Sequence, residues 1–330
     1  MTLTDDELGF RLERRLAELG PDDARVRDLV RLSGGASRET WSFSAETSAG
    51  TRRLILRRDP PTEPRPDIMR REAVAVGAAH RHGVPGPELL DWSADPDRLG
   101  GAYLLMTHVD GETIARRILR DPPYADARGR LAADLGRAAA LIHGVPTDEI
   151  AELPVEDGVQ ILWDRYLFAD ELRPVFELAF QWLEDHRPSD RPAPTLVHGD
   201  FRLGNVIVDE SGLAAVLDWE LVHRGDAMED LGYLCIRAWR FGGPAPVAGV
   251  GSFAQLFDAY EAAGGLPVEP DRVRWWQVAG TLNWGISCLA QANRHLRGHT
   301  RSVELAAIGR RVAEQEHDLL RLLDPVGSVR

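Results

Sequence analysis

The chain contains no lysine: all 39 of its Lys+Arg positions, among 330 residues, are arginine. That excludes a Walker-A GK[ST] loop, a pyridoxal-phosphate Schiff base and any lysine nucleophile. Cysteine is nearly as scarce, and Cys235 and Cys288 both fall in apolar, helix-like stretches. Two thiols placed like this read as buried free cysteines of a reducing cytoplasm, not as a disulfide or a metal site. No apolar run reaches membrane-spanning length, and the opening "MTLTDDELGFRLERRL" is acidic and amphipathic without a signal core. The expectation is a cytoplasmic protein with no membrane partner. Positive charge is in deficit: the formal net charge is -13. A phosphate-backbone partner is disfavoured, because nucleic-acid affinity rests on Lys and Arg displacing counterions.

What is present is a globular composition, 44% hydrophobic and 28% charged, long enough for two lobes that share a cleft. Residues 4–19 have helical periodicity. Apolar alternation in "VRDLVRLSGG", "ETWSFSAE" and "RRLILRRD" predicts three consecutive antiparallel strands. Residues 67–82 return to helical spacing, and "VPGPELLDW" and "GAYLLMTHVDG" add two strands. Beyond about residue 112 the texture is helical apart from short strands around 195–219. The reading is an α+β chain with an N-terminal lobe over 1–109 and a mainly helical lobe over 110–330. The lobe boundary is placed at "THVDGE", which carries a turn signal. No internal repeat or low-complexity tract occurs.

The stretch "TLVHGDFRLGNVIVD" sets Asp200 and Asn205 in a Gly-punctuated turn between apolar runs, and Asp218 follows one short hairpin later in "AAVLDWE". An Asp in a turn is ordinarily a cap or an Asx-turn. Three oxygen-bearing side chains converging at one lobe's mouth would instead suit Mg²⁺, which takes one or two protein carboxylates and keeps room for waters and substrate phosphates. The free carboxylate, Asp200, would then orient a hydroxyl and accept its proton. Upstream, "LSGGASRETWSF" offers Gly34, Gly35 and Ser37, whose backbone N–H groups can approach phosphate oxygens, although paired glycines are more often a hairpin turn. Arg57 on the third strand and Glu72 on the following helix could meet as a phosphate-gripping cation and its carboxylate. Arg58 points to the opposite side of the strand, whereas Arg57 shares the side of Ile55.

In this order the motifs resemble the protein-kinase-like fold, specifically the aminoglycoside phosphotransferase family of small-molecule kinases. "HGDFRLGN" is similar to its catalytic loop, "LDWE" to its metal-binding Asp motif and "GDAMEDL" to the acidic segment that follows. "LSGGAS", "LILR" and "RREAVAV" resemble the nucleotide loop, the cation-bearing strand and the Glu-bearing helix. The resemblance spans about residues 25–325. It implies a bilobal fold with a small antiparallel-sheet N-lobe carrying one main helix and a larger helical C-lobe. It further implies Asp200 as base or hydroxyl-orienting group, Asn205 and Asp218 as magnesium ligands, and Arg202 beside the transferred phosphate. Thr107 and Val109, in "LLMTHV", fall where the family holds adenine through backbone groups. Asp230 is implied to brace the catalytic loop, and His198 to hold its turn. His143 reads as a satisfied helix-end histidine.

The departure is Arg57, where the wider fold has a lysine. A guanidinium keeps the charge and can grip phosphate bidentately, but its planar fork requires different room. Arginine here resembles a subgroup that includes the kinase-like domain fused to some acyl-CoA dehydrogenases, and "LAQANRHLRG" with "ELAAIGRR" is similar to the same subgroup. The expected activity is transfer of a γ-phosphate from ATP, with GTP as the alternative nucleotide, to a hydroxyl of a small molecule, either aminoglycoside-like or a hydroxy acid. The alternative is a nucleotide-binding pseudoenzyme or sensor, motivated by the missing lysine. A metallophosphatase lacks the additional His ligands it would need.

Overall fold

Aromatic and aliphatic residues alternate with polar ones through 39–58, and the chain folds there into a hairpin of two nine-residue strands. The structure is a computed structural model describing residues 3–20, 22–32, 38–156 and 158–324. Its first part runs α1 (Asp5–Leu19), β1 (Arg25–Arg31), β2 (Glu39–Thr47), β3 (Gly50–Arg58), α2 (Pro66–Arg81), β4 (Leu89–Ser93), α3 (Pro96–Leu99) and β5 (Tyr103–Thr107). The strands form one antiparallel sheet in the order β1-β2-β3-β5-β4.

Strand alternation sorts this sheet's side chains onto two layers. Trp41, Phe43, Leu54, Leu56, Tyr103 and Leu105 pack with Leu8 and Leu12 of α1. On the other face Leu104 and Met106 pack with Met69, Ala73 and Val76 of α2. α1 starts at a capping box, in which Glu7 N–H donates to Thr4 Oγ1 and Thr4 N–H donates to the Glu7 carboxylate. Two sequence expectations are corrected. The strand expected over "VPGPELLDW" is confined to Leu89–Ser93, because Pro85 and Pro87 cannot donate to a ladder. The short helix α3 was not foreseen; Asp95 caps it through Asp97 N–H, with Pro96 in its first turn.

The remainder comprises α4 (Ala115–Arg120), α5 (Ala125–His143), α6 (Gly158–Ala169), α7 (Pro174–Asp185), β6 (Thr195–Val197), β7 (Val206–Asp209), β8 (Gly212–Val216), β9 (His223–Gly225), α8 (Met228–Leu234), α9 (Phe253–Ala262), α10 (Pro270–Leu296), α11 (Val303–Gly309) and α12 (Val312–Leu323). The 27-residue α10 is the mast of this part. Val278, Leu282, Ile286 and Leu289, three and four residues apart, bury one face of it against α6, α7 and α12. Two small antiparallel pairs, β6–β9 and β7–β8, carry the loops that face the sheet across the cleft. Cys235 and Cys288 are both buried and free.

His223 fastens the β6–β9 pair. Its Nδ1 is 2.9 Å from the Leu221 carbonyl and its Nε2 is 3.2 Å from the Glu229 carboxylate. Both neighbours can only accept, so both ring nitrogens donate and the ring is an imidazolium. Burial alone would depress its pKa, but the Glu229 charge outweighs it, and the ring is pushed up to about 9. A folded-state pKa raised above the ordinary value of about 6.5 contributes stability that is complete below that pH and is lost as pH rises through the folded value. We expect the stability gap between the native chain and His223→Gln, read by urea melts, to be widest near pH 6 and to close by about pH 10. A gap that stays constant or widens with pH would exclude the charged pair.

Candidate active site

The loop 198–205 between β6 and β7 is held from below by one carboxylate. Asp230, in the first turn of α8 and fully buried, accepts from His198 N–H at 2.8 Å and from Gly199 N–H at 3.0 Å. His143 closes the same group, with Nε2 3.1 Å from Asp230 and Nδ1 2.9 Å from the Tyr260 hydroxyl. Burial pushes the Asp230 pKa upward, but His143 and the contact with His198 overcome this and hold it below the ordinary range. Gly199 has φ +81, and a Cβ there would come within 2.5 Å of the Leu221 carbonyl, so this turn requires glycine. The His198 ring stitches the loop to the next strand: its Nδ1 accepts from Asp200 N–H at 3.2 Å and its Nε2 donates to the Leu217 carbonyl at 2.9 Å. One nitrogen accepts and the other donates, so this imidazole is neutral in this arrangement.

With the loop fixed, Asp200 is presented on it, 16% exposed at its side chain. Arg202 Nε donates to its Oδ1 at 2.9 Å. Asn205 Nδ2 donates to its Oδ2 at 2.5 Å and to its backbone carbonyl at 3.0 Å. Because both of those partners are acceptors, the amide nitrogen of Asn205 faces Asp200 and its Oδ1 faces away. The Arg202 guanidinium lies 4.5 Å over the Trp239 ring. Tyr233 stands beside these residues, and burial, followed by the charge of Asp200, pushes its phenol well above the ordinary range.

Across the cleft, Arg57 donates through Nη1 to Glu72 at 2.6 Å and through Nη2 to Asp218 at 2.7 Å. Glu72 is fully buried between two guanidiniums, its second oxygen bonded to Arg38, which also reaches Asp59 at 3.3 Å. Arg58 turns to the opposite face and bonds Glu39 and the Leu99 carbonyl. Asp218 follows β8 with φ +66, a left-handed conformation that non-glycine residues seldom adopt. Burial raises its pKa, but the Arg57 charge prevails and holds it below the usual carboxylate range. A backbone bond from Leu217 N–H to the Asn205 carbonyl, 2.8 Å, ties the Asp218 turn directly to the end of the Asp200 loop.

The structure therefore brings Asp200, Arg202 and Asn205 into one cluster and Arg57, Glu72 and Asp218 into a second, joined by that backbone bond. Gly34, Gly35 and Ser37 lie outside the described residues. Thr107 ends β5. Its N–H is bonded to the Glu88 carbonyl at 3.0 Å and its hydroxyl accepts from Glu88 N–H at 2.9 Å, so that N–H has no capacity left for a ligand. Val109 lies two residues past the end of β5. Sequence reasoning missed Arg38, Asp59, Tyr233 and Trp239. Each meets the site through a contact made only by the fold, and only Arg38 carried a nearby signal, in its position directly after the Gly-Gly loop.

The model of the Phosphotransferase enzyme family matches residues 28–276, about three quarters of the chain. Mouse "Acyl-CoA dehydrogenase family member 10" is 29% identical over 234 residues, covering 66% of this chain and 21% of that protein. The rat family member 11 is 27% identical, covering 68% and 30%. The chain thus spans less than a third of the length of these curated relatives. A Ralstonia eutropha crystal structure, provisionally described as an aminoglycoside phosphotransferase, superposes with TM-score 0.76 at 22% identity, over 95% of this chain and 97% of that one. A thermostable variant of aminoglycoside phosphotransferase APH(4)-Ia, in ternary complex with ADP and hygromycin B, superposes with TM-score 0.61 at 18% identity, over 97% and 99%. At these identities the structural likeness establishes the fold.

Replacing Asp230 tests how the loop is held. Asp230→Ala would strand two backbone N–H groups and the His143 ring in the core, with an expected loss of about 3–5 kcal/mol of stability. A melting temperature equal to that of the native chain would show that the loop does not depend on this carboxylate.

Proposed function

Since the chain belongs to the phosphotransferase enzyme family, we propose that it is a small-molecule kinase that transfers the γ-phosphate of ATP to a hydroxyl group with the help of Mg²⁺. The observation that carries this reading is the backbone bond from Leu217 N–H to the Asn205 carbonyl, which sets the bonded pair Asp200 and Asn205 next to the Asp218 turn, where a guanidinium spans Glu72 and Asp218.

The donor set fits magnesium. Asn205 turns its amide nitrogen to Asp200, leaving Oδ1 as a neutral oxygen donor, and Asp218 spends only Oδ1 on Arg57. No group of three or more His, Cys, Asp and Glu side chains among the described residues forms a cage of its own. A magnesium ion sharing its coordination with phosphate oxygens and water needs only such a partial set. When bound, the ion neutralises charge on the transferring phosphate.

The chain's own residues account for the rest. Asp200 orients the acceptor hydroxyl and takes its proton as that oxygen forms its bond to phosphorus, while the bond from phosphorus to the bridging oxygen of the departing ADP breaks. Arg57 and Arg202 bring fixed positive charge to either side of the transferring group, and Glu72 keeps Arg57 in place. Gly34, Gly35 and Ser37 supply backbone donors to the nucleotide phosphates. The end of β5 holds the base through Val109 and the Thr107 carbonyl. The lobes divide at 109/110, and the site lies between them. Among the described residues no helix is long and apolar enough to cross a membrane. The low share of the curated relatives covered leaves any activity of those longer proteins outside this reading.

Asp200→Asn should lower kcat by about 10²–10⁴-fold while leaving ATP affinity, measured by calorimetry, close to native. Retained turnover would sink the assignment, and tight nucleotide binding without turnover in the native chain would favour a sensor. Arg57→Ala is expected to weaken ATP binding by about tenfold or more, since a charge-assisted contact to phosphate is lost. Native-like affinity in a folded Arg57→Ala protein would show that arginine has not taken the lysine's place.

A further inference from the structure

Beside the catalytic loop, a second feature sets itself apart from this acidic chain. A groove of about 1020 Å³ opens between α4, the 3₁₀ turn Arg237–Arg240 and α12. Arg116, Arg120, Arg237 and Arg311 line it, against only Glu314 and Asp318. Arg237 lies 3.7 Å from Asp318 and Arg311 3.1 Å from Glu314, so both carboxylates are already engaged. Arg116 and Arg120 are exposed and have no ion-pair or hydrogen-bond partner among the described residues. A positively charged concavity on a chain of net charge -13 is a local arrangement, not a reflection of composition.

Behind the groove, two buried donors lack acceptors. Arg240 Nε and Trp284 Nε1 are buried without a hydrogen-bond partner. Burial depresses the Arg240 pKa from its ordinary value, as expected for a guanidinium that lacks counter-charge. Arg240 borders a smaller recess that shares Arg237 and Asp318 with the groove. Unmet buried donors of this kind call for an explanation.

The groove abuts the loop that carries Asp200. Arg202 stacks on Trp239 at 4.5 Å, Trp239 packs on Trp284 at 4.7 Å, and Arg311 covers Trp284 at 5.6 Å. Phe241, in the groove wall, would be 3.6 Å from a Cβ on Gly204 of the catalytic loop. A second cavity, about 190 Å³, which touches the loop at Gly199, mixes Arg71 and Arg165 with Glu156, Glu220 and Glu229 and falls short of the volume usual for ligand pockets.

We propose that this groove is the acceptor site and that the acceptor is an anionic alcohol, whose carboxylate or phosphate sits among Arg116, Arg120 and Arg237 while its hydroxyl reaches Asp200. The proposal rests on the kinase reading and narrows it: a polycationic amino sugar would meet like charge in the groove. The chemistry shared by a carboxylate and a phosphate is oxyanion recognition by guanidinium, which arginine provides bidentately.

The test has two arms. In the first, ADP release is followed with hydroxy carboxylates, sugar phosphates, neutral polyols and hygromycin B as acceptors, and the better of the two anionic classes identifies the source of the charge. The Arg116→Ala/Arg120→Ala double variant is expected to raise KM for the best anionic acceptor by about tenfold or more with kcat within about twofold. In the second arm, tryptophan fluorescence is titrated with citrate and with glucose 6-phosphate at saturating ADP, which reads binding without turnover. Loss of that binding in the double variant, with no acceptor turned over by the native protein, would support the groove and count against the kinase. An unchanged KM in the double variant, or hygromycin B as the best acceptor, would overturn the groove.

Discussion

A single guanidinium ties three parts of the cleft together. Arg57 leaves the sheet on β3, meets Glu72 on α2 and meets Asp218 beyond β8, so sheet, helix and the Asp218 turn are registered by one planar fork. Glu72 is shared with Arg38, and Arg38 with Asp59, which makes an alternating chain of charge running from the cleft into the core. Buried charges are tolerated only when paired and hydrogen-bonded. The chain therefore supplies each with a partner on a different element, and the geometry of the cleft follows from those pairings. An ammonium in the place of Arg57 would present a point charge, without the rigid fork that lets one side chain brace two carboxylates in fixed directions.

The second constraint works from the other side. Asp230 uses both oxygens on the backbone of the loop 198–205 and receives His143 besides. The loop's shape is thus set by a residue that never reaches the cleft, while the His198 ring passes the restraint on to the Asp218 strand. The same economy recurs at Asn205, whose amide orients Asp200 on one side and exposes an oxygen on the other. What faces the cleft is rigid because its supports lie on packed helices and strands.

Much of this was legible in the sequence, for reasons that can be stated. The sheet could be read because Trp41, Phe43, Leu54 and Leu56 alternate cleanly with polar neighbours. α2 could be read because Met69, Ala73 and Val76 recur at helical spacing. The loop could be read because its His, Asp and Asn stand at fixed steps around glycines. Arg57, and not Arg58, could be assigned to the cleft from strand parity alone. What escaped were contacts between residues far apart in the chain: Arg38 on Glu72, Tyr233 beside Asp200, and the stack of Arg202 on Trp239. Nothing in local periodicity signals such pairs. α3 escaped because one turn of helix leaves no period to detect, and the bond of the Thr107 N–H because its partner, Glu88, lies far off in the chain, just ahead of β4. The arginine groove drew no attention in the sequence because its cations come from three separate segments, each an ordinary surface helix or turn.

The arginine at position 57 also changes what chemistry can see this protein. Reagents that report on kinases by acylating the nucleotide-site amine depend on a nucleophilic nitrogen that loses its proton near neutral pH. A guanidinium stays protonated throughout the accessible range and is a poor nucleophile, and the sequence contains no lysine side chain to substitute for it. Surveys built on lysine-directed acylation would pass over the cleft of this chain, however well it binds nucleotide.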